Sequence, residues 1–383
     1  MSSDSSSEVL KRYGVTVEQY RAFHRDGFLV VRGLVPEHDI AELRRHTEML
    51  MQGELPEQRG RPMPDRDVTR DGAVTVQGLE APPAHLSPAE KAQYFPRIHM
   101  LHRRLELHER YLLHPRVLDV LEVLIGPDVL ALQTMLFLKP PGKPGQGWHQ
   151  DSYYIPTHPD TLCGAWIAID DCDELNGAMW FAKGSQVEPI YPPCPDAGYG
   201  FGHKLISDIM HVKGVSEPDD QRNTLSMVAD RYDQVLVSAR AGDVVFFGGH
   251  VLHRSKANFT TDRFRRAFVG HYCNARSFTQ WGADMEPGNP HASQVIDPLT
   301  KMTNGSHILA RGDTHLPFAQ PRFGTPCAAL LSRQQRAHES EYVARIIARM
   351  NHGLLGCGIA DPAVSETRYE PAKAPGRSSH HHI

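Results

Sequence analysis

Four side chains in this sequence form a set that could do chemistry together. They are His149 and Asp151 in the run Trp148-His149-Gln150-Asp151, His253 in His253-Arg254-Ser255, and Arg265. Two imidazoles and one carboxylate can cap three adjacent positions on a divalent metal and leave the opposite three open, the arrangement of non-haem iron(II) sites. A guanidinium beyond the second histidine could then anchor an acidic co-substrate through a planar, two-pronged contact. Lysine would reproduce that contact poorly, because its ammonium is a point charge without a fixed fork.

Taken singly, these residues say little. The chain holds 23 histidines, so ligand-like triplets arise by chance, and His24-Arg25-Asp26 repeats the spacing on what reads as an amphipathic helix. His149 with Asp151 could be a surface pair, His253 a satisfied core histidine and Arg265 an outward charge. Shared facing favours the metal site. Strand side chains alternate between faces, so residues two apart point the same way. His149 and Asp151 then share a face, after a Gly-rich stretch at 141–147 that suits a bend. His253, Ser255 and Ala257 share another, opposite His250, Leu252, Arg254 and Lys256; small Ala257 marks the interior and selects His253 over His250. Within 263–271, Arg265, Ala267 and Val269 lie together, opposite Phe264, Arg266 and Phe268. The small-residue face reads as cavity and the bulky face as packing against helices, which selects Arg265 over Arg266.

The elements that must position this set follow from local patterns. Thr16-x-x-Gln19 reads as a capping box opening a helix that Gly27 ends. A β-rich stretch at 28–34 precedes a second helix after Pro36, with Ile40, Leu43 and Leu50 on its apolar face. Residues 53–84 read as a long loop, and helical patterns return at 97–113 and 115–125. From 129 the period changes: 129–139, 162–170, 178–182, 234–239, 243–247, 251–257 and 264–272 are short, β-branched or aromatic, and punctuated by Gly and Pro. The expectation is a mainly β domain with α, an antiparallel barrel or jelly roll with helices packed outside. The stretch 186–231 is a Gly/Pro/Asp-rich insertion with Tyr199, Phe201 and His203, and 332–352 reads as a final helix capped by Ser332-x-x-Gln335. One domain is expected over 1–370, with a helical layer at about 15–125, the barrel at about 128–275 and a C-terminal extension at about 276–370. Residues 371–383 are expected to be a disordered tail, and His380-His381-His382, a tag remnant, stay out of the metal argument.

Bulk properties narrow the function classes. A net charge of −4 leaves no broad basic field for nucleic acid or an acidic membrane. The six cysteines lack a C-x-x-C pair, which argues for reduced thiols and against a disulfide framework or zinc site. The serine-rich start has no apolar core, and no run reaches membrane-spanning length. A cytoplasmic protein acting on a small molecule, without nucleic-acid partner or membrane insertion, is the expectation.

Several runs together resemble the phytanoyl-CoA dioxygenase family of iron(II)/2-oxoglutarate oxygenases. They are Ala131-Leu-Gln-Thr-Met-Leu-Phe-Leu-Lys-Pro-Pro141, Trp148-His-Gln-Asp-Ser-Tyr-Tyr-Ile-Pro156, Gly164-Ala-Trp166, Asn176-Gly-Ala-Met-Trp180 with Gly184-Ser185, Gly242-Asp-Val-Val-Phe-Phe247, His253-x-Ser255-x-x-Asn258 and Phe264-Arg-Arg-Ala267, in family order from about 19 to 275. The resemblance implies a double-stranded β-helix (jelly-roll, cupin-like) with flanking N- and C-terminal helices. It implies iron(II) on His149, Asp151 and His253, and 2-oxoglutarate held at its distal carboxylate by Arg265 and Ser255. Met135 and Trp166 match positions lining the co-substrate pocket, and Gln133 faces the same side as Met135. The family's further basic residue has two candidates, Arg97 and His99. The implied reaction consumes O2 and 2-oxoglutarate, releases succinate and CO2, and hydroxylates a small organic metabolite. The Asp151 carboxylate favours hydroxylation, or a related desaturation or cyclisation, over halogenation, because it would fill the position a halide takes. Two other readings are a barrel that binds without catalysis and a cupin-like metal enzyme that uses no 2-oxoglutarate. Nothing in the sequence marks a coenzyme A site.

Overall fold

The computed structural model describes residues 12–59, 75–76, 79–95, 97–191, 224–277, 283–284, 303–304, 307–314 and isolated positions between 279 and 323. The chain divides into two compact units, Met1–Ala344 and Arg345–Ile383, and every described residue belongs to the first. Most of the insertion, with Tyr199, Phe201 and His203, lies outside the described residues, as do the helix expected at 332–352 and the tail.

The N-terminal layer is helical. Helix α1 (Val17–Asp26) opens on the expected box: the Thr16 hydroxyl accepts from the Gln19 N–H, the Gln19 side chain accepts from the Thr16 N–H, and left-handed Gly27 ends the helix. Helix α2 (Glu37–Gln52) buries Ile40, Leu43 and Leu50. Three shorter helices follow, α3 (Pro88–Tyr94), α4 (Glu106–Leu112) and α5 (Pro115–Leu124), the last with Pro115 in its first turn. The stretch expected to be helical from residue 97 begins instead as a strand, because Arg97–His99 pairs with a later strand; a 3-10 turn follows at Leu101–Arg103 and α-helix only from Glu106.

The strands are β1 (Phe28–Val31), β2 (Thr75–Val76), β3 (Arg97–His99), β4 (Val129–Phe137), β5 (Gln146–His149), β6 (Cys163–Ala168), β7 (Met179–Ala182), β8 (Gln234–Val237), β9 (Val244–Gly248), β10 (His253–Ser255), β11 (Ala267–Asn274), β12 (Ala283–Asp284), β13 (Thr303–Asn304) and β14 (Ile308–Arg311). They form a large sheet ordered β1-β9-β6-β11-β4-β3-β2, with β14 also on β4, a small sheet ordered β5-β10-β7-β8, and the pair β12–β13. Pairing is antiparallel except between β2 and β3. The jelly roll is therefore two sheets face to face, and hydrogen bonding among the described strands does not close it into a ring. The one-turn helix α6 (Asp151–Tyr154), the short helix α7 (Thr224–Ala229) and three 3-10 turns (Pro56–Gln58, Leu101–Arg103 and Ser185–Val187) complete the described elements.

Alternation sorts the large sheet into two cores. Ala165, Ile167, Val244, Phe246, Phe268 and Tyr272 pack outward with helix residues such as Leu43, Tyr111 and Leu118. Trp166, Ala168, Val245, Phe247, Ala267 and Val269 point the other way, onto Met179, Phe181 and Val237 of the small sheet. The small-residue face of β11 is thus the interior, and bulky Phe268 lies against the helices. No helix among the described residues is long and apolar enough to cross a membrane.

Candidate metal centre

His149 ends β5, and His253 begins the neighbouring strand β10. The register sets them directly opposite each other, which brings their ring centroids to 4.1 Å. In each ring the Nδ1–H donates to a backbone carbonyl two residues earlier, Gly147 at 2.8 Å for His149 and Val251 at 3.1 Å for His253. That choice leaves both Nε2 lone pairs facing the interior, the tautomer a metal ligand needs. The Gln146 side-chain amide donates to the His149 Nε2 at 3.1 Å, so it meets the lone pair a metal would take. Phe181 stacks on His253 at 5.6 Å and Phe247 leans on it at 4.9 Å, which fixes the ring from two sides.

Asp151 does not share a strand with His149. The strand stops at His149, and Asp151 opens the one-turn helix α6, because Ser152 N–H donates to the Gly249 carbonyl and buried Gln150 ties its amide to the carbonyls of Pro189 and His250. Convergence survives this change. Asp151 Oδ1 lies 3.6 Å from His149 Nε2 and 3.7 Å from His253 Nε2, and the three ligand atoms all fall within 4.8 Å of one another. The set is two neutral nitrogens and one carboxylate oxygen, a donor set suited to a divalent metal of intermediate hardness.

The protonation states suit the same use. Burial, with help from His253, pushes the His149 imidazole down to about 3, so its Nε2 is unprotonated near neutrality. Burial alone would raise the Asp151 carboxyl, but His253, the His271 hydrogen bond and His149 together outweigh it and hold the group well below the usual carboxylate range. Both effects keep the ligand atoms deprotonated, as metal binding demands.

Arg265 lies before β11, its N–H donating to the Lys139 carbonyl and its side chain turned inward. It is 4% exposed, and its Nε donates to the Gly177 carbonyl at 3.1 Å. The guanidinium carbon sits 5.8 Å from the Phe137 ring and 5.9 Å from Trp166. No carboxylate among the described residues pairs with it, and burial pushes its pKa down to about 10. Arg266 points the opposite way and binds Asp170 and Glu48. His250 also turns away, onto Asp160 and the Glu188 carbonyl. Met135 and Trp166 face the interior with Arg265, while Ser255, two residues beyond His253, accepts from Lys139 Nζ at 3.3 Å. Of the two candidate basic residues, Arg97 and His99 share one face of β3 opposite Ile98, which packs into the helix-side core. Both are coupled electrostatically to the interior: the Arg97 charge lowers the pKa of His149 and of His99, and His99 is lowered also by His271.

Two interior residues escaped the sequence reasoning. Lys139 is buried, with its ammonium on the Ser255 hydroxyl and the Lys256 carbonyl. His271 is 3% exposed and donates from Nε2 to Asp151 Oδ2 at 2.8 Å. Alternation held the signal for both. Gln133, Met135, Phe137 and Lys139 run in steps of two, and so do Arg265, Ala267, Val269 and His271.

A family model described as phytanoyl-CoA dioxygenase matches residues 23–267. The peroxisomal phytanoyl-CoA dioxygenase of Rattus norvegicus is 30% identical over 264 residues, covering 67% of this chain and 68% of that protein. The Homo sapiens protein of the same name is 26% identical over 266 residues, covering 68% and 69%. Among solved structures, the apo form of ThoJ, a non-heme monooxygenase, superposes with a TM-score of 0.49 at 21% identity, over 87% of this chain and 98% of that one. EctD from S. alaskensis with 2-oxoglutarate and 5-hydroxyectoine gives 0.45 at 18% identity, over 68% and 77%.

Proposed function

The chain belongs to the phytanoyl-CoA dioxygenase family, and from that premise we propose that this iron(II)/2-oxoglutarate-dependent dioxygenase hydroxylates a small organic metabolite. His149 Nε2, His253 Nε2 and Asp151 Oδ1 are the proposed iron ligands, and Arg265 the proposed anchor for the distal carboxylate of 2-oxoglutarate, with Ser255 beside it. Trp166, Met135 and Gln133 line the space between. One observation carries this reading: a convergent two-nitrogen, one-oxygen cluster shares an interior with a buried guanidinium that has no carboxylate partner among the described residues. A buried charge without a partner is unfavourable, so a dianionic ligand is the natural complement to Arg265.

When bound, iron(II) with 2-oxoglutarate and O2 supplies the oxidising chemistry and releases succinate and CO2. The chain's own residues do the positioning. The Nδ1–H contacts to Gly147 and Val251 hold both Nε2 lone pairs inward. Trp166, Phe137, Phe181 and Phe247 wall the interior with hydrocarbon, which keeps water from competing for the open metal face. With iron bound, the Asp151 carboxylate would hold the position a halide needs, which supports hydroxylation, or a related desaturation or cyclisation, over halogenation. The mammalian relatives are named for phytanoyl-CoA; a coenzyme A ester and a free metabolite are both arms of the substrate test.

Iron-dependent succinate release from 2-oxoglutarate tests the reading, with a metabolite library supplied to find what stimulates it. His149→Ala and Asp151→Ala should abolish release; turnover retained in both would refute the ligand assignment. We further propose a cytoplasmic protein without nucleic-acid partner, on the net charge of −4 and on Cys163, Cys172 and Cys273 being buried and unpaired. The rat and human relatives are named as peroxisomal, so fractionation that finds the protein in peroxisomes would overturn the location.

A further inference from the structure

We propose that His271 and Gln133 are a positioning pair that keeps Asp151 a one-oxygen ligand of the metal. The proposal rests on the reading that His149, Asp151 and His253 bind iron. The three candidate ligands are not held equally. Each histidine stands on a strand and is locked by its own Nδ1–H to a backbone carbonyl. Asp151 stands beyond the end of β5, on the one-turn helix α6, outside any strand ladder. Its two oxygens become different only if something holds one of them. His271 does so: its Nε2–H donates to Oδ2 at 2.8 Å, while Oδ1 faces the two imidazole Nε2 atoms at 3.6 and 3.7 Å.

His271 is itself fixed from behind. A neutral imidazole donates through one nitrogen only, so a ring that gives Nε2–H to the carboxylate must accept at Nδ1. The Gln133 amide meets that nitrogen at 3.0 Å as a donor. Gln133 and His271 are cross-strand partners on β4 and β11, each 3% exposed, and the register shift falls immediately after them, between His271 and Tyr272. In this orientation Gln133 Oε1 is buried without a partner among the described residues.

The functional consequence is a count of open positions. A carboxylate bound through one oxygen leaves three positions on a six-coordinate metal, enough for a two-atom chelate and one further ligand. A carboxylate released to bind through both oxygens would take one of those three. His271 and Gln133 therefore keep the face open without touching the ion, and both are positioning residues.

The test uses the full-length protein, loaded anaerobically with Co(II), and reads dissociation constant, visible absorption and apo melting temperature. His271→Ala should weaken Co(II) binding by about 10- to 100-fold and alter the d–d bands as the coordination number changes, with the apo melting temperature little moved. His271→Gln, which returns an amide N–H near the lost Nε2, should recover most of both. Gln133→Leu, which removes only the donor to Nδ1, should shift affinity in the same direction and keeps the test decisive if His271→Ala does not fold. Wild-type affinity and spectrum in His271→Ala or Gln133→Leu, or a His271→Gln as weak as His271→Ala, would overturn the pair. The triad is judged separately. Co(II) retained in His149→Ala sinks the metal site itself, whereas Co(II) lost in His149→Ala and unchanged in His271→Ala sinks only the positioning pair.

Discussion

Replacing Arg265 by methionine should separate a functional charge from a structural one. Its pKa falls from 12.5 to about 10 on burial, which corresponds to about 3 kcal/mol of cost for carrying the charged form in the folded state near neutrality. The sign follows from linkage. The folded pKa is depressed, so the penalty is full at any pH below about 10 and fades as pH rises toward 12.5. Methionine removes the penalty with a side chain of similar reach. Two losses offset the gain: the Gly177 carbonyl gives up a hydrogen bond, worth about 1 kcal/mol, and the Phe137 and Trp166 rings give up their cation, worth roughly another 1 kcal/mol together. The net is a gain of roughly 1 kcal/mol, against a loss of about 3–5 kcal/mol for breaking a buried ion pair. Arg265→Met apoprotein should therefore melt no lower than wild type, while 2-oxoglutarate affinity, measured by anaerobic calorimetry with Mn(II) present, falls by more than about 30-fold for a lost buried charge pair worth at least about 2 kcal/mol. A variant that melts far below wild type, or that still binds 2-oxoglutarate normally, would refute the reasoning.

Acid should destabilise the apoprotein early. His46, His99 and His149 are pushed by burial to about 4, about 3 and about 3, whereas the unfolded chain takes up those protons near 6.5; each histidine's contribution is full above that value and is lost at about 1.4 kcal/mol per pH unit as pH falls toward the folded pKa. Melting temperatures that stay flat from neutral pH to about pH 4.5 would contradict this. His108 is fully buried with neither ring nitrogen bonded among the described residues, so His108→Leu should raise stability by about 1–3 kcal/mol in urea titration and make the acid slope shallower; a loss would show that the ring has a partner. A Cβ at Gly164 would stand 2.3 Å from Phe247 Cζ, and Phe247 leans on His253. Gly164→Ala should therefore cost about 1–3 kcal/mol and weaken Co(II) binding as well; unchanged affinity would mean that His253 does not depend on that ring.

Much of the site was legible because strand alternation is a local rule with a sharp consequence. The small face of β11 against its bulky face turned Arg265 inward and Arg266 outward, and Ala257 separated His253 from His250. The same rule reaches His271 two residues beyond Val269 and Lys139 four residues beyond Met135. What local rules could not supply was pairing between distant segments. Arg97–His99 reads as the start of an amphipathic helix, and β4 makes it a strand. Asp151 reads as the continuation of β5, and the carbonyl of Gly249 together with the anchored Gln150 bends the chain into a turn there. The glycine at 164 gave no signal in one dimension, since its role depends on a phenylalanine from β9.

The two halves of the sandwich contribute unequally to the centre. Both imidazoles come from the four-stranded sheet, while the carboxylate is tethered through His271 to the eight-stranded one, which also brings Gln133, Met135 and Trp166. An ion seated there would work as a rivet through the seam, adding to the side-chain packing and the few hydrogen bonds, such as Lys139 to Ser255, that join the layers. Chelation would then unfasten a joint as well as silence a reaction, and amide exchange along β5 and β10 should quicken before it does along β6 and β11.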